Sequence, residues 1–133
     1  QSRSSAASDV YKRQIANETP DLTMFNGHAN QYVFEPLKAR VGERVRIWVL
    51  AAGPSRGCSF HVVGTQFDTV FKEGAYTLKR GNPEGGGCQA LDLASAQGGF
   101  VEMVFEEPGR YTFVNHSFVE MERGAKGFIE VTT

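Results

Sequence analysis

The chain of 133 residues contains only three histidines, His28, His61 and His116. A neutral imidazole ligates transition metals and moves protons near neutrality, so each is a candidate for either task. Their settings differ. His28 lies in Asn26-Gly27-His28-Ala29-Asn30, a polar, turn-rich composition that predicts a loop and a solvated ring. His61 lies in Phe60-His61-Val62-Val63, where period-two alternation directs it away from Phe60 and Val62. Both a sheet-face histidine with one hydrogen-bond partner and a metal ligand are open there. His116 ends the run Tyr111-Thr112-Phe113-Val114-Asn115, at a strand end from which a side chain projects off the rim. His116 is therefore the first candidate metal ligand and His61 the second.

Other reactive types say less. Cys58 and Cys88 admit a disulfide, a metal pair or two separate thiols, and no Cys-x-x-Cys spacing marks a zinc site. The Gly-rich stretch from Gly81 to Gly87 lacks the following Lys and Ser or Thr of a phosphate loop, and reads as a surface loop. Met103 and Met121 read as packing residues.

Alternation and turn signals supply the elements that must position these groups. Arg44 to Leu50 places Val45, Ile47 and Val49 on one face after the Gly42-Glu43 turn, which predicts a half-buried strand. Further strands are expected at Ser59 to Val63, Gly99 to Phe105, Arg110 to Val114 and Phe128 to Val131, with Glu106-Glu107-Pro108-Gly109 as a turn. A single helical turn is expected around Val119 to Arg123. Short strands with frequent turn signals predict an all-β protein, an antiparallel sandwich or barrel.

The opening residues read differently. Ser4 to Gln14, Ser-Ser-Ala-Ala-Ser-Asp-Val-Tyr-Lys-Arg-Gln, resemble the in-frame translation of a transposase sequencing adapter. Residues 1–14 are accordingly expected to be a non-native, disordered leader, with one domain over residues 15–133 that is the C-terminal fragment of a larger multidomain protein. The formal charge is −1, and the leader's Arg3, Lys12 and Arg13 outweigh Asp9 by two, leaving −3 on the remainder with both signs interspersed. No basic field for nucleic acid results, and no apolar run approaches the roughly 20 residues that cross a bilayer.

A resemblance emerges from ordered short motifs. Phe25-Asn26-Gly27, Val41-Gly42-Glu43-Arg44-Val45, His61-Val62-Val63-Gly64, Gly98-Gly99, Pro108-Gly109-Arg110-Tyr111, Val114-Asn115-His116 and Gly124-Ala125-Lys126-Gly127 follow one another as in the second cupredoxin domain of copper nitrite reductases, a branch of the multicopper oxidases. The resemblance implies a Greek-key β-sandwich of cupredoxin type, an extracytoplasmic location and, in the intact protein, a homotrimer of two-domain subunits. It implies that a missing N-terminal cupredoxin domain carries type 1 copper and two histidines of a type 2 copper. His116 would donate the third histidine across a subunit boundary. The family's proton-delivering histidine falls at Gln66, the candidate catalytic position, which can hydrogen-bond an anion but cannot carry a proton.

A blue-copper centre requires a thiolate beside its imidazoles, and Val114-Asn115-His116 followed by Glu120 offers none. Two function classes follow. One is a copper oxidoreductase, inactive as this domain alone, that acts on a small anion such as nitrite or on dioxygen. The other is a structural or assembly cupredoxin module without metal.

Overall fold

A computed structural model describes residues 3–133, with side chains from residue 6 onward. Among the described residues nine strands and three helices follow in order: α1 (Arg3–Ala16), α2 (Gln31–Phe34), β1 (Leu37–Arg40), β2 (Arg44–Leu50), β3 (Cys58–Val62), β4 (Thr69–Lys72), β5 (Ala75–Leu78), β6 (Ala90–Leu93), β7 (Gly98–Val104), β8 (Gly109–Asn115), α3 (Phe118–Glu122) and β9 (Lys126–Thr132). They form a five-stranded sheet, β1-β9-β8-β3-β6, and a four-stranded sheet, β2-β7-β4-β5. β1 and β9 pair in parallel, and the other described pairs are antiparallel. The chain crosses repeatedly between sheets, which makes this the expected Greek-key β-sandwich.

Alternation decides which side chains fill the space between the sheets. On β2, Val45, Ile47 and Val49 turn inward while Arg46, Trp48 and Leu50 face solvent. Phe60 and Val62 on β3, Val101 and Met103 on β7, and Ile129 on β9 meet them, with Phe67, Leu91 and Phe105 completing the buried centre. Met103 is thus core packing. The outer face of the four-stranded sheet carries Trp48, Phe71, Tyr76 and Phe100 in mutual ring contact, with the Arg46 guanidinium 4.3 Å above the Phe100 ring.

Beside that aromatic ladder lies a charged one. Arg44 donates to both Asp68 oxygens at 2.8 Å and to Glu102 at 3.2 Å, and Arg46 also binds Glu102. The hydrogen-bonded Arg44 guanidinium holds the Asp68 carboxyl below the usual carboxylate range. Its folded value is depressed, so this stabilisation is present above the unfolded value near 3.9 and is lost as pH falls through the folded one. Asp68→Asn is therefore expected to lower the urea midpoint near neutrality and to match the parent chain in strong acid. The pair is partly solvated, so the difference is about 1 kcal/mol or less. An offset that persists unchanged in acid would contradict the assignment.

Arg3–Ala16 form a helix. Ala6, Ala7, Lys12, Arg13 and Gln14 have high helix propensity, which suffices locally without an apolar stripe. Gln14 hydrogen-bonds Asp21 at 2.6 Å, and most other described side chains of the helix are exposed. No helix is long and apolar enough to cross a membrane among the described residues.

Candidate metal centre

His61 sits mid-β3, with Phe60 and Val62 buried on the opposite face, as alternation predicts. It pairs with Val114 of β8 on one side and Ala90 of β6 on the other. His116 is two residues beyond Val114, so strand parity returns it to the same outer face. Its backbone N–H donates to the Ser59 carbonyl at 2.8 Å, which keeps it beside β3 after β8 has ended. The two imidazoles meet edge to face with ring centres 5.4 Å apart.

Both rings are braced. His61 Nδ1 contacts the Gln89 carbonyl oxygen. A carbonyl only accepts, so Nδ1 carries a proton, and in the neutral ring Nε2 is the nitrogen with the lone pair. The exposed His116 ring stacks on Phe118 at 4.7 Å and 24°. Asn115, buried and directly before His116, accepts from Ser59 N–H at 3.1 Å and Ser117 N–H at 3.3 Å through Oδ1. This clasp fixes the end of β8 against the start of β3. The strand pattern did not mark Asn115 as a positioning residue; a polar residue at an inward-facing strand position was the available signal.

Gln66 lies beyond the turn at Gly64, where φ of +92° requires glycine-like freedom. It is exposed and faces the Gly-rich loop, so that a Cβ at Gly87 would lie 2.6 Å from its Oε1. No hydrogen bond or ring contact joins Gln66 to either histidine among the described residues. His28 is exposed in its loop.

Cys58 and Cys88 are both free thiols. Burial pushes the Cys58 thiol up to about 11, which keeps it protonated and unreactive at neutral pH. Cys88 Sγ donates to the Ala90 carbonyl at 3.0 Å. Of the three readings open for these residues, the structure shows separate thiols. Among the described residues no three His, Cys, Asp or Glu side chains converge on one point. The chain thus offers two imidazoles on one rigid face, which suits them as part of a metal-ligand set and not as a complete one.

No family model matches the chain. It is 35% identical over 116 residues to the copper-containing nitrite reductase of Neisseria gonorrhoeae, covering 86% of this chain and 28% of that protein. It is 31% identical to the copper-containing nitrite reductase of Neorhizobium galegae over the same share of this chain and 29% of that protein. Among solved structures, the Cu-containing nitrite reductase from Thermus scotoductus SA-01 superposes with a TM-score of 0.77 at 30% identity, over 90% of this chain and 27% of that one. The copper nitrite reductase from Nitrosomonas europaea gives 0.78 at 25% identity, over 92% and 44%. The multicopper oxidase from Campylobacter jejuni, at 16% identity and a TM-score of 0.67 over 83% of this chain and 23% of that one, shares the fold. The chain spans under a third of the length of the curated relatives it matches. Sequence and architecture agree that it is a cupredoxin-fold domain, homologous to one part of the copper-containing nitrite reductases and similar in structure to multicopper oxidases.

Proposed function

We propose that this domain donates His116 to a type 2 copper site whose other imidazoles come from a second cupredoxin domain, in an oxidoreductase that reduces a small anion, nitrite foremost. The observation that carries this reading is the His116 imidazole itself, exposed at the rim of the sandwich and stacked on Phe118. A ring held in this way is oriented before any partner arrives, which lowers the ordering cost of completing the site.

When bound, copper supplies one-electron redox chemistry and an open position that polarises the small ligand. The chain's own residues then have limited tasks. His116 binds through an imidazole nitrogen, Phe118 fixes its ring plane, and the Asn115 clasp sets its height above the sheet. Gln66 offers an amide that can hydrogen-bond an anion but cannot transfer a proton near neutrality. Proton delivery therefore falls to water or to a partner residue, and dioxygen is the alternative small substrate. We assign the intact protein an extracytoplasmic location and a homotrimeric assembly as parts of the same reading, with residues 1–14 lying outside the functional domain.

The test uses the intact multidomain protein. His116→Ala is expected to abolish the type 2 copper signal in electron paramagnetic resonance and to leave the type 1 signal in place. An unchanged type 2 signal would overturn the ligand assignment and favour a metal-free structural module.

A further inference from the structure

We infer that His61 and His116 together form a two-imidazole chelate belonging to this chain alone, so that the domain binds a borderline divalent transition metal, Cu(II) most tightly, before any partner completes the site. The inference rests on the reading of His116 as a metal ligand and deepens it by giving that ligand a companion on the same domain.

Distance is the first argument. Metal–imidazole bonds of about 2.0–2.1 Å at a near-tetrahedral angle place two ring centres roughly 5 Å apart. The observed separation is 5.4 Å. The spacing thus lets both rings reach one ion with no change in strand register.

Protonation state is the second. The Gln89 carbonyl accepts a hydrogen bond from His61 Nδ1–H, which in the neutral ring leaves Nε2 as the ligating nitrogen. A backbone carbonyl bound to the far nitrogen is the usual support of a ligating imidazole, because it fixes the tautomer and the ring direction and raises basicity. Rigidity is the third. His61 is paired on both sides by β6 and β8, and His116 is tied to β3 through the Ser59 carbonyl at 2.8 Å and through the Asn115 clasp. Neither ring rides on a free loop.

Donor chemistry selects the ion. Two neutral imidazoles without a carboxylate disfavour Mg²⁺ and Ca²⁺, which prefer oxygen, and favour Cu(II), Ni(II) and Zn(II), with Cu(II) first in the general affinity order. With no third His, Cys, Asp or Glu converging among the described residues, water fills the remaining positions until another ligand displaces it.

Chelation makes a quantitative claim, since binding to the second ring becomes intramolecular once the first has bound. Loss of either imidazole should then cost about 100-fold in affinity, whereas two independent surface histidines would each change it about twofold. The experiment is calorimetric titration of the 133-residue chain with Cu(II), with paramagnetic resonance of the loaded protein as a second readout. The variants are His61→Ala, His61→Gln, His116→Ala and, as control, His28→Ala, each checked for unchanged circular dichroism. The expected result is one tight equivalent whose spectrum shows two nitrogen ligands, loss of about 100-fold in each His61 and His116 variant, and no change in His28→Ala. Parental affinity in both His61 variants, or a twofold loss in each single variant, overturns the chelate. If the His61 variants bind normally while His116→Ala still removes the type 2 signal from the intact protein, the chelate falls and the donated-ligand reading stands. If both histidines prove necessary here while the intact protein keeps its type 2 signal without His116, the reading falls and the chelate stands.

Discussion

Phe60→Ala is expected to destabilise the domain by about 3–5 kcal/mol, the usual cost of removing a buried aromatic ring and leaving a cavity behind. Phe60 is 2% exposed and touches three other rings, Phe25 at 6.0 Å, Phe113 at 5.8 Å and Phe67 at 6.3 Å between centres. Those neighbours belong to the segment before α2, to β8 and to the turn after β3, and Phe113 cannot move into the gap without moving β8. A domain of this size holds about 5–15 kcal/mol in total, so the variant sits close to unfolding at physiological temperature. Denaturant titration measures the effect, and Phe60→Leu, which keeps most of the volume, should lose distinctly less. A cost below about 1 kcal/mol would mean that the aromatic cluster repacks freely. Because Phe60 adjoins His61 on the same strand, the variant also tests whether the metal-binding face depends on the core beneath it.

Gly99→Ala should cost about 3 kcal/mol, at the upper end of the range for overpacking. A Cβ at this position would lie 2.2 Å from the Phe71 carbonyl oxygen and 3.2 Å from Lys72 Cα. The obstacle is backbone of β4 paired with β7, so no side-chain rotation relieves it. Gly98 provides the control one residue away. There the nearest backbone atom would be the Val49 oxygen at 3.5 Å, an ordinary contact, and Gly98→Ala should be nearly neutral. Thermal midpoints for the two variants separate the steric account from a general preference for glycine in the strand; equal shifts would refute the steric one.

The strands legible in the sequence were those with a buried face and an open one. Arg44–Leu50 is the clearest, because Val45, Ile47 and Val49 alternate with Arg46 and Trp48. β1 was missed because it is a short edge strand between Pro36 and Gly42 that pairs only with β9. The β4–β5 hairpin was missed because β5 is exposed along most of its length and its turn uses Glu73 at φ of 58°, which is not a strong turn signal. Among the site residues, alternation gave the face of His61, and strand-end position gave the exposure of His116. Their proximity was out of reach, because it depends on the register of β3 against β8, where His61 pairs with Val114 far along the chain. The same holds for Asn115, whose role exists only once Ser59 is placed beside it. The resemblance to copper nitrite reductases supplied the fold and His116 together, while the Gln89 contact and the Phe118 stack emerged from coordinates alone.

The position of the histidines within their sheet has a consequence for how the domain breathes. β8 and β3 are interior strands of the five-stranded sheet, each flanked by a neighbour on either side. Amides in such strands exchange with solvent only through large cooperative openings, whereas a terminal helix such as α1 and an edge strand such as β5 fray at far lower free energy. The frame beneath His61 and His116 therefore belongs to the slowest-exchanging part of the molecule, and local excursions at the periphery leave the spacing of the two rings unchanged.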